Sequence, residues 1–239
     1  MMKTLIQAST WNALLLGNFD EAIRAENLLR YADTGIGVCT ALAGTVILED
    51  GVAYKAAEDG NVSVMQPEEG VAFAAAMAFD ENAPDVELKS IGSLDALKQA
   101  LEPYVNGNRN IFYMIRASGV FKSVHTHSWV ACRKPYPTLA EAAKNQREAQ
   151  FENTHGSLIA VWCPQYISGT CFQGWQFHYL SSDKTQGGHV FDLSVDRLHM
   201  KINRVERFDL TLPQNAEFAR RNLCEELSDG TAAAGNIKK

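Results

Sequence analysis

Segment after segment between residues 110 and 212 reads as β-strand, and that run limits the possible folds more than any other feature. "NIFYMIRASGVFKSVHTHSWVACR", "GSLIAVWCPQYI", "GWQFHYLSSD", "GGHVFDLSVDRLHMKI" and "VERFDLTL" are rich in aromatic and β-branched residues and alternate in character. The first of them reads as two strands broken at Ser118-Gly119. One helical pattern interrupts the run, "PTLAEAAKNQREAQF", with Pro137 or Thr138 at its start. Strands that follow one another through short turns pair antiparallel.

The first hundred residues are more mixed. Residues 8–31 carry helical signals: Ser9-Thr10 as a cap, then Ala22, Ile23, Leu28 and Leu29 on one stripe. "GTVILEDGVAYKA" is a hairpin with a strand from Thr45, a turn at Asp50-Gly51 and a strand through Tyr54. "GVAFAAAMAF" is a strand or buried segment, and "SLDALKQALEPYV" is a helix that starts at Ser93 and stops by Pro103. "NAEFARRNLCEEL" is a last helix, and residues 228–239 form a mobile, small-residue tail. Strands in runs with helices inserted predict an α+β fold with mostly antiparallel sheets. A chain of 239 residues suits one domain, or two closely packed β-rich parts.

Composition removes several functions. The net charge is −6 with no basic block, which argues against nucleic acid and anionic membrane as partners. No apolar run is long enough to cross a bilayer. The N-terminal stretch is interrupted by Gln7, Ser9, Thr10 and Asn12, unlike a signal peptide. Five cysteines (Cys39, Cys132, Cys163, Cys171, Cys224) form no CxxC pair and read as reduced thiols of a cytoplasmic protein, mostly small core residues. No dinucleotide fingerprint, P-loop, nucleophile elbow or HExxH motif is present. Any chemistry must come from side chains or a metal.

Histidines are the candidates. Alternation in "WQFHYL" puts Gln176, His178 and Leu180 on one strand face and Trp175, Phe177 and Tyr179 on the other. "KTQGG" then reverses the chain, so His189 lands opposite His178 on the paired strand, a geometry that suits two ligands of one metal. Two histidines are also what an ordinary satisfied core contains. His125 and His127 share one face of "SVHTHSWV", while His155 and His199 read as loop and surface-strand residues.

"GWQFHYLSSDKTQGGHVFDL" resembles the metal-site segment of α-acetolactate decarboxylases. "QASTWNALLLGNFD", "GIGVCTALAGTVILEDGVAYKA" and "GVFKSVHTHSWVACRKPYPTLAEAAKNQ" resemble further stretches of that family, in order, so the likeness spans residues 5–225 within a single domain of residues 1–239. The resemblance implies a barrel-like half that carries a Zn²⁺ held by three histidines, a small-molecule substrate (2-acetolactate, converted to acetoin and CO₂) and a homodimer. Four family positions differ: Gln176 replaces the first histidine, Thr45 a glutamate, His127 an arginine, and no acidic residue matches in "GTAAAGNIKK". The resemblance therefore places catalytic roles on Thr45, His127 and Gln176. It places metal ligation on His178 and His189, with His127 supplying the imidazole that Gln176 lacks. Three functions follow as expectations: a metal-dependent carboxy-lyase, a repurposed pocket for proton transfer, isomerisation or cyclisation of a keto compound, or a non-catalytic binding protein.

Overall fold

In the computed structural model, residues 3–224 are described. The chain first lays down β1 (Thr4–Ala8), β2 (Ile23–Arg24), β3 (Thr34–Cys39), β4 (Thr45–Glu49), β5 (Val52–Ala56), β6 (Val62–Val64) and β7 (Gly70–Met77). A second set follows: β8 (Asp85–Ile91), β9 (Phe112–Ser128), β10 (Arg147–Cys163), β11 (Gly174–Ser181) and β12 (Gly187–Val205). β13 (Arg207–Thr211) returns to the first set beside β1. One sheet has the order β13-β1-β7-β3-β4-β5-β6 with β2 on β7, and the other β11-β10-β9-β12-β8. The β1–β13 pair is parallel and the other strand pairs are antiparallel.

This is the expected α+β, mostly antiparallel build. The expected barrel-like half is not shown as such: the second half is a five-stranded sheet in which β11 flanks β10, with a short further pairing of β11 to β12 at His178–His189, Tyr179–Gly188 and Leu180–Gly187. The alternation in β11 does what its sequence predicts. Leu180 joins Ile36, Val38, Ile47, Ile159 and Val161 in the core between the two sheets. Trp175, Phe177 and Tyr179 join the opposite core, against the helix α3 (Leu94–Val105).

Four local expectations are corrected. The helical signals of residues 8–31 yield only two short turns, α1 (Trp11–Leu15) and α2 (Ala25–Leu29), and Ile23 of the expected stripe lies in β2 between them. β9 runs unbroken through Ser118-Gly119, where a side chain at Gly119 would stand 2.6 Å from the Arg197 carbonyl oxygen. That glycine permits close strand approach rather than a turn. The helix α4 (Leu139–Ala143) keeps its Thr138–Glu141 capping box but ends early. "REAQF" instead opens β10, with Phe151 opposite Val124, because pairing overrides the helical preference of Glu, Ala and Gln. His155 lies on β10 and not in a loop.

α3 begins at the expected Ser93 cap, whose Oγ accepts from Ala96 N at 3.1 Å, and continues past Pro103 to Val105. α5 (Ala216–Arg220) is the described part of the last helix, and the tail of residues 228–239 lies outside the described residues. No described helix is long and apolar enough to cross a membrane.

Candidate active site

Three imidazoles stand in a row where β11, β12 and β9 meet. His178 on β11 is in register with His189 on β12, and His189 is in register with His127 on β9. The His178 and His189 ring centroids lie 5.1 Å apart, and those of His189 and His127 4.6 Å apart. Glycine makes this approach possible: a side chain at Gly187 would meet the Tyr179 carbonyl oxygen at 2.6 Å, and one at Gly188 (φ +152°) would meet Thr126 Cβ at 2.9 Å. The turn before them is held by Ser181 and Asp183, and Lys184 pairs with the buried Glu49 at the end of β4. That pair fixes the β11–β12 turn against the first sheet.

His178 is fixed across the two sheets. Its Nδ1–H donates to the Val46 carbonyl on β4 at 2.9 Å. A carbonyl can only accept, so the proton sits on Nδ1 and Nε2 keeps its lone pair. Burial pushes its pKa down to about 3, against a partial rise from the Val46 hydrogen bond and a further lowering from His127. His189 is only partly buried by its neighbours, yet its pKa is driven well below the ordinary value by loss of solvent, then by His127, His178 and Lys98. Burial takes His127 down to about 4, with Glu148 and Gln146 raising it and His125 lowering it. All three rings are therefore neutral at pH 7. His127 Nδ1 makes no hydrogen bond of normal geometry among the described residues.

Two cavities share a wall here. The inner one, about 50 Å³, lies between the sheets and is lined by Trp11, Ile36, Val38, Phe73, Trp129 and Phe172 together with Gln176, His178 and His189. At roughly 30 Å³ per water it holds little more than solvent. The outer one, about 290 Å³, is lined by Gln176 and His189 again, by Trp162 and Trp175, and by Leu94, Lys98 and Glu102 of α3. Gln176 and His189 thus separate an apolar chamber from a larger one of mixed polar and apolar lining.

Of the residues singled out in the sequence, Gln176, His178 and His189 come together as expected. Thr45 sits in register with Val38 of the inner cavity, shares a β4 face with Ile47, and its buried Oγ has no partner among the described residues. His125 shares the face of His127, packs with it on Phe191 and is bound to Glu148 at 2.9 Å, and His155 and His199 are exposed. Two features had no sequence signal that was read: the Val46 carbonyl, which any residue could supply, and the α3 ridge. The spacing of Leu94, Lys98 and Glu102 shows that they share a helix face, but not what that face meets.

A three-histidine zinc site does not fit these side chains. His127 reaches His189 and not His178, so the rings form a line. Among the described residues no group of three or more His, Cys, Asp or Glu is arranged to hold a metal ion. Two neutral imidazoles and an amide, His178, His189 and Gln176, are what the inner cavity offers, and amide oxygen is a weak ligand for Zn²⁺.

Comparison with known proteins places this geometry. The sequence model of the alpha-acetolactate decarboxylase family matches residues 5–225. The alpha-acetolactate decarboxylase of Brevibacillus brevis is 32% identical, over 98% of this chain and 82% of the relative. That of Bacillus subtilis (strain 168) is 31% identical, over 92% of this chain and 85% of the relative. The crystal structure of alpha-acetolactate decarboxylase from Bacillus subtilis strain 168 superposes with a TM-score of 0.92 at 28% identity, covering 98% of this chain and 100% of that one. A match along nearly the whole sequence and a shared backbone lead to one assignment: this chain belongs to the alpha-acetolactate decarboxylase family.

Proposed function

We propose that this protein is a carboxy-lyase acting on a small 2-hydroxy-3-keto acid of the 2-acetolactate type, releasing CO₂ and a neutral ketol such as acetoin. Family membership supports the reaction class. The observation that carries the site is the wall of Gln176 and His189 between an apolar chamber and a cavity large enough for a five-carbon acid.

The chemistry asks for few groups. The bond from the carboxylate to its carbon breaks, the electron pair passes to the ketone oxygen as an enediolate, CO₂ leaves, and a proton returns to the carbon. An amide N–H of Gln176 is a neutral donor for the developing oxyanion. Thr45 Oγ, buried without a partner beside Val46, is a second donor on the β4 side. A neutral imidazole accepts a proton at one nitrogen while it donates from the other. His189, the most exposed of the three rings and the one lining both cavities, is the proton donor to carbon, and its other nitrogen takes up the replacing proton from solvent water. His178, with its tautomer set by Val46, holds His189 from behind.

The test is CO₂ and acetoin release from racemic 2-acetolactate by the purified full chain. Turnover is expected to be slow, below the tens per second of an ordinary enzyme, because Gln176, Thr45 and His127 carry no formal charge at pH 7. No CO₂ release above the spontaneous rate would overturn the proposal. Conversion of the acid to an isomer without CO₂ would assign the pocket to proton transfer instead.

A further inference from the structure

A carboxylate substrate needs a counter-charge. The outer cavity does contain a cation. Leu94, Lys98 and Glu102 recur every four residues and form one ridge of α3 along that cavity, facing the wall of Gln176 and His189. The helix is not loosely placed. Leu94 N–H donates to the Asp192 carboxylate at 2.7 Å, and Asp192 lies three residues beyond His189 on β12. The ridge and the His189 strand are therefore joined at the edge of the site.

Lys98 is held but not neutralised. Its ion pair is with Asp95 one turn back, at 3.7 Å, and the side chains are 29% and 64% exposed. A partly exposed pair of this kind along a helix is weak. The acid in the cavity, Glu102, is by contrast engaged by Arg109, which also lies over the Trp162 ring at 5.7 Å. A bound anion in the outer cavity thus meets an available ammonium and an acid already paired.

We propose that Lys98 is the residue that binds the substrate carboxylate, in the outer cavity and opposite Gln176 and His189. This rests on the carboxy-lyase reading above. It has a particular kinetic consequence. The carboxylate loses its charge as it becomes CO₂, so an ion pair with Lys98 is stronger in the bound substrate than in the transition state. Such an interaction lowers KM and leaves kcat unchanged or slightly reduced.

The experiment uses the full chain with Lys98→Gln and Lys98→Arg. Two probes are titrated by calorimetry: 2-hydroxy-2-methylbutanoate, a stable acid with the hydroxyl and carboxylate, and acetoin, which lacks the carboxylate. Kinetics on 2-acetolactate run in parallel. Lys98→Gln should weaken the acid about tenfold, equivalent to about 1.4 kcal/mol, leave acetoin unchanged, and raise KM about tenfold with kcat held. Lys98→Arg should recover most of the loss, because it keeps the charge. Equal weakening of acid and acetoin, or no weakening of the acid, would overturn the proposal. Lys98-dependent acid binding without any decarboxylation would uphold Lys98 and sink the lyase reading. Decarboxylation with a KM indifferent to Lys98 would do the reverse.

Discussion

His189 has an imidazole on either side, and its two neighbours are built differently. His178 is tied to the opposite sheet through Val46, which fixes its tautomer and ring plane. His127 is equally buried, but its Nδ1 has no hydrogen bond of normal geometry among the described residues, and the rings packed on it are His189, Phe191 and Trp129. Burial alone makes both rings neutral. Only the backbone carbonyl of a second sheet makes one of them rigid, and rigidity is what a positioned proton carrier or ligand requires.

The sharpest way to break this comparison is to delete each ring in turn. His178→Ala is expected to lower kcat for 2-acetolactate about 10²–10³-fold, within the range for groups that position proton transfer. It also leaves the Val46 carbonyl buried without its donor, at a stability cost of about 1–3 kcal/mol. His127→Ala should cost about tenfold in kcat, by the looser packing of His189. Steady-state kinetics and thermal melts of the two variants decide it. Equal losses would show that anchoring by Val46 is irrelevant.

The anchored side of the site was far more legible in the sequence than its surroundings. The period of two in "WQFHYL" and the Gly187-Gly188 pair specify which side chains share a face and where the chain returns, so Gln176, His178 and His189 could be grouped from spacing alone. Spacing also placed His125 with His127 on one face, but alternation says nothing of the Glu148 carboxylate that binds His125. Gly119 looked like a break because a glycine in a strand is ambiguous until the Arg197 carbonyl behind it is known. β8 went unread: its alternating "DVELKSI" is charged on the solvent side and pairs at the sheet edge with β12. Lys98 was hidden for a more general reason. An amphipathic helix declares its apolar stripe but not the cavity that its flank will border.

Metal binding sharpens the same contrast at the next scale. Wild type should hold zinc weakly after dialysis, because the inner cavity offers two imidazoles and an amide. Gln176→His supplies a third imidazole beside His178 and should raise zinc affinity by about 10–100-fold, the scale on which changes around a metal site are felt. Gln176→Ala and His178→Ala should reduce whatever zinc the wild type retains, while His127→Ala should leave it, since His127 does not reach His178. Elemental analysis after identical dialysis is the readout. Loss of zinc in His127→Ala with retention in Gln176→Ala would mean that His127 completes the set after all.

Acid should expose the burial of the two flanking rings together. Each folded-state pKa lies below the unfolded value of 6.5, at about 4 for His127 and about 3 for His178. Unfolding then takes up protons that the native state refuses. Stability is full above pH 6.5 and falls as pH drops toward the folded pKa, by about 1.4 kcal/mol per pH unit for each ring. Urea titrations of metal-free protein between pH 7 and 5 measure the slope. His127→Gln should remove one ring's share of it, and an unchanged slope in that variant would show that His127 titrates normally.

The smallest expected effect isolates the unanchored flank. Glu148 pairs with His125 at 2.9 Å, with side chains 64% and 29% exposed, and its charge is one of the influences that raise the pKa of His127. It is not among the influences on His178. Glu148→Gln removes a negative charge that favours the His127 imidazolium, so the His127 titration should move further below about 4 while that of His178 stays in place. At pH 7 both rings are neutral in either protein, and an exposed pair contributes little, so stability there should change by no more than about 0.5 kcal/mol. Proton NMR of the imidazole resonances across the acid range, with a melt at pH 7, tests both halves. A shift of equal size at His178 would mean that Glu148 acts through His189 on the whole row. The two flanks would then be electrostatically one unit, and the Val46 hydrogen bond would mark a difference of orientation alone.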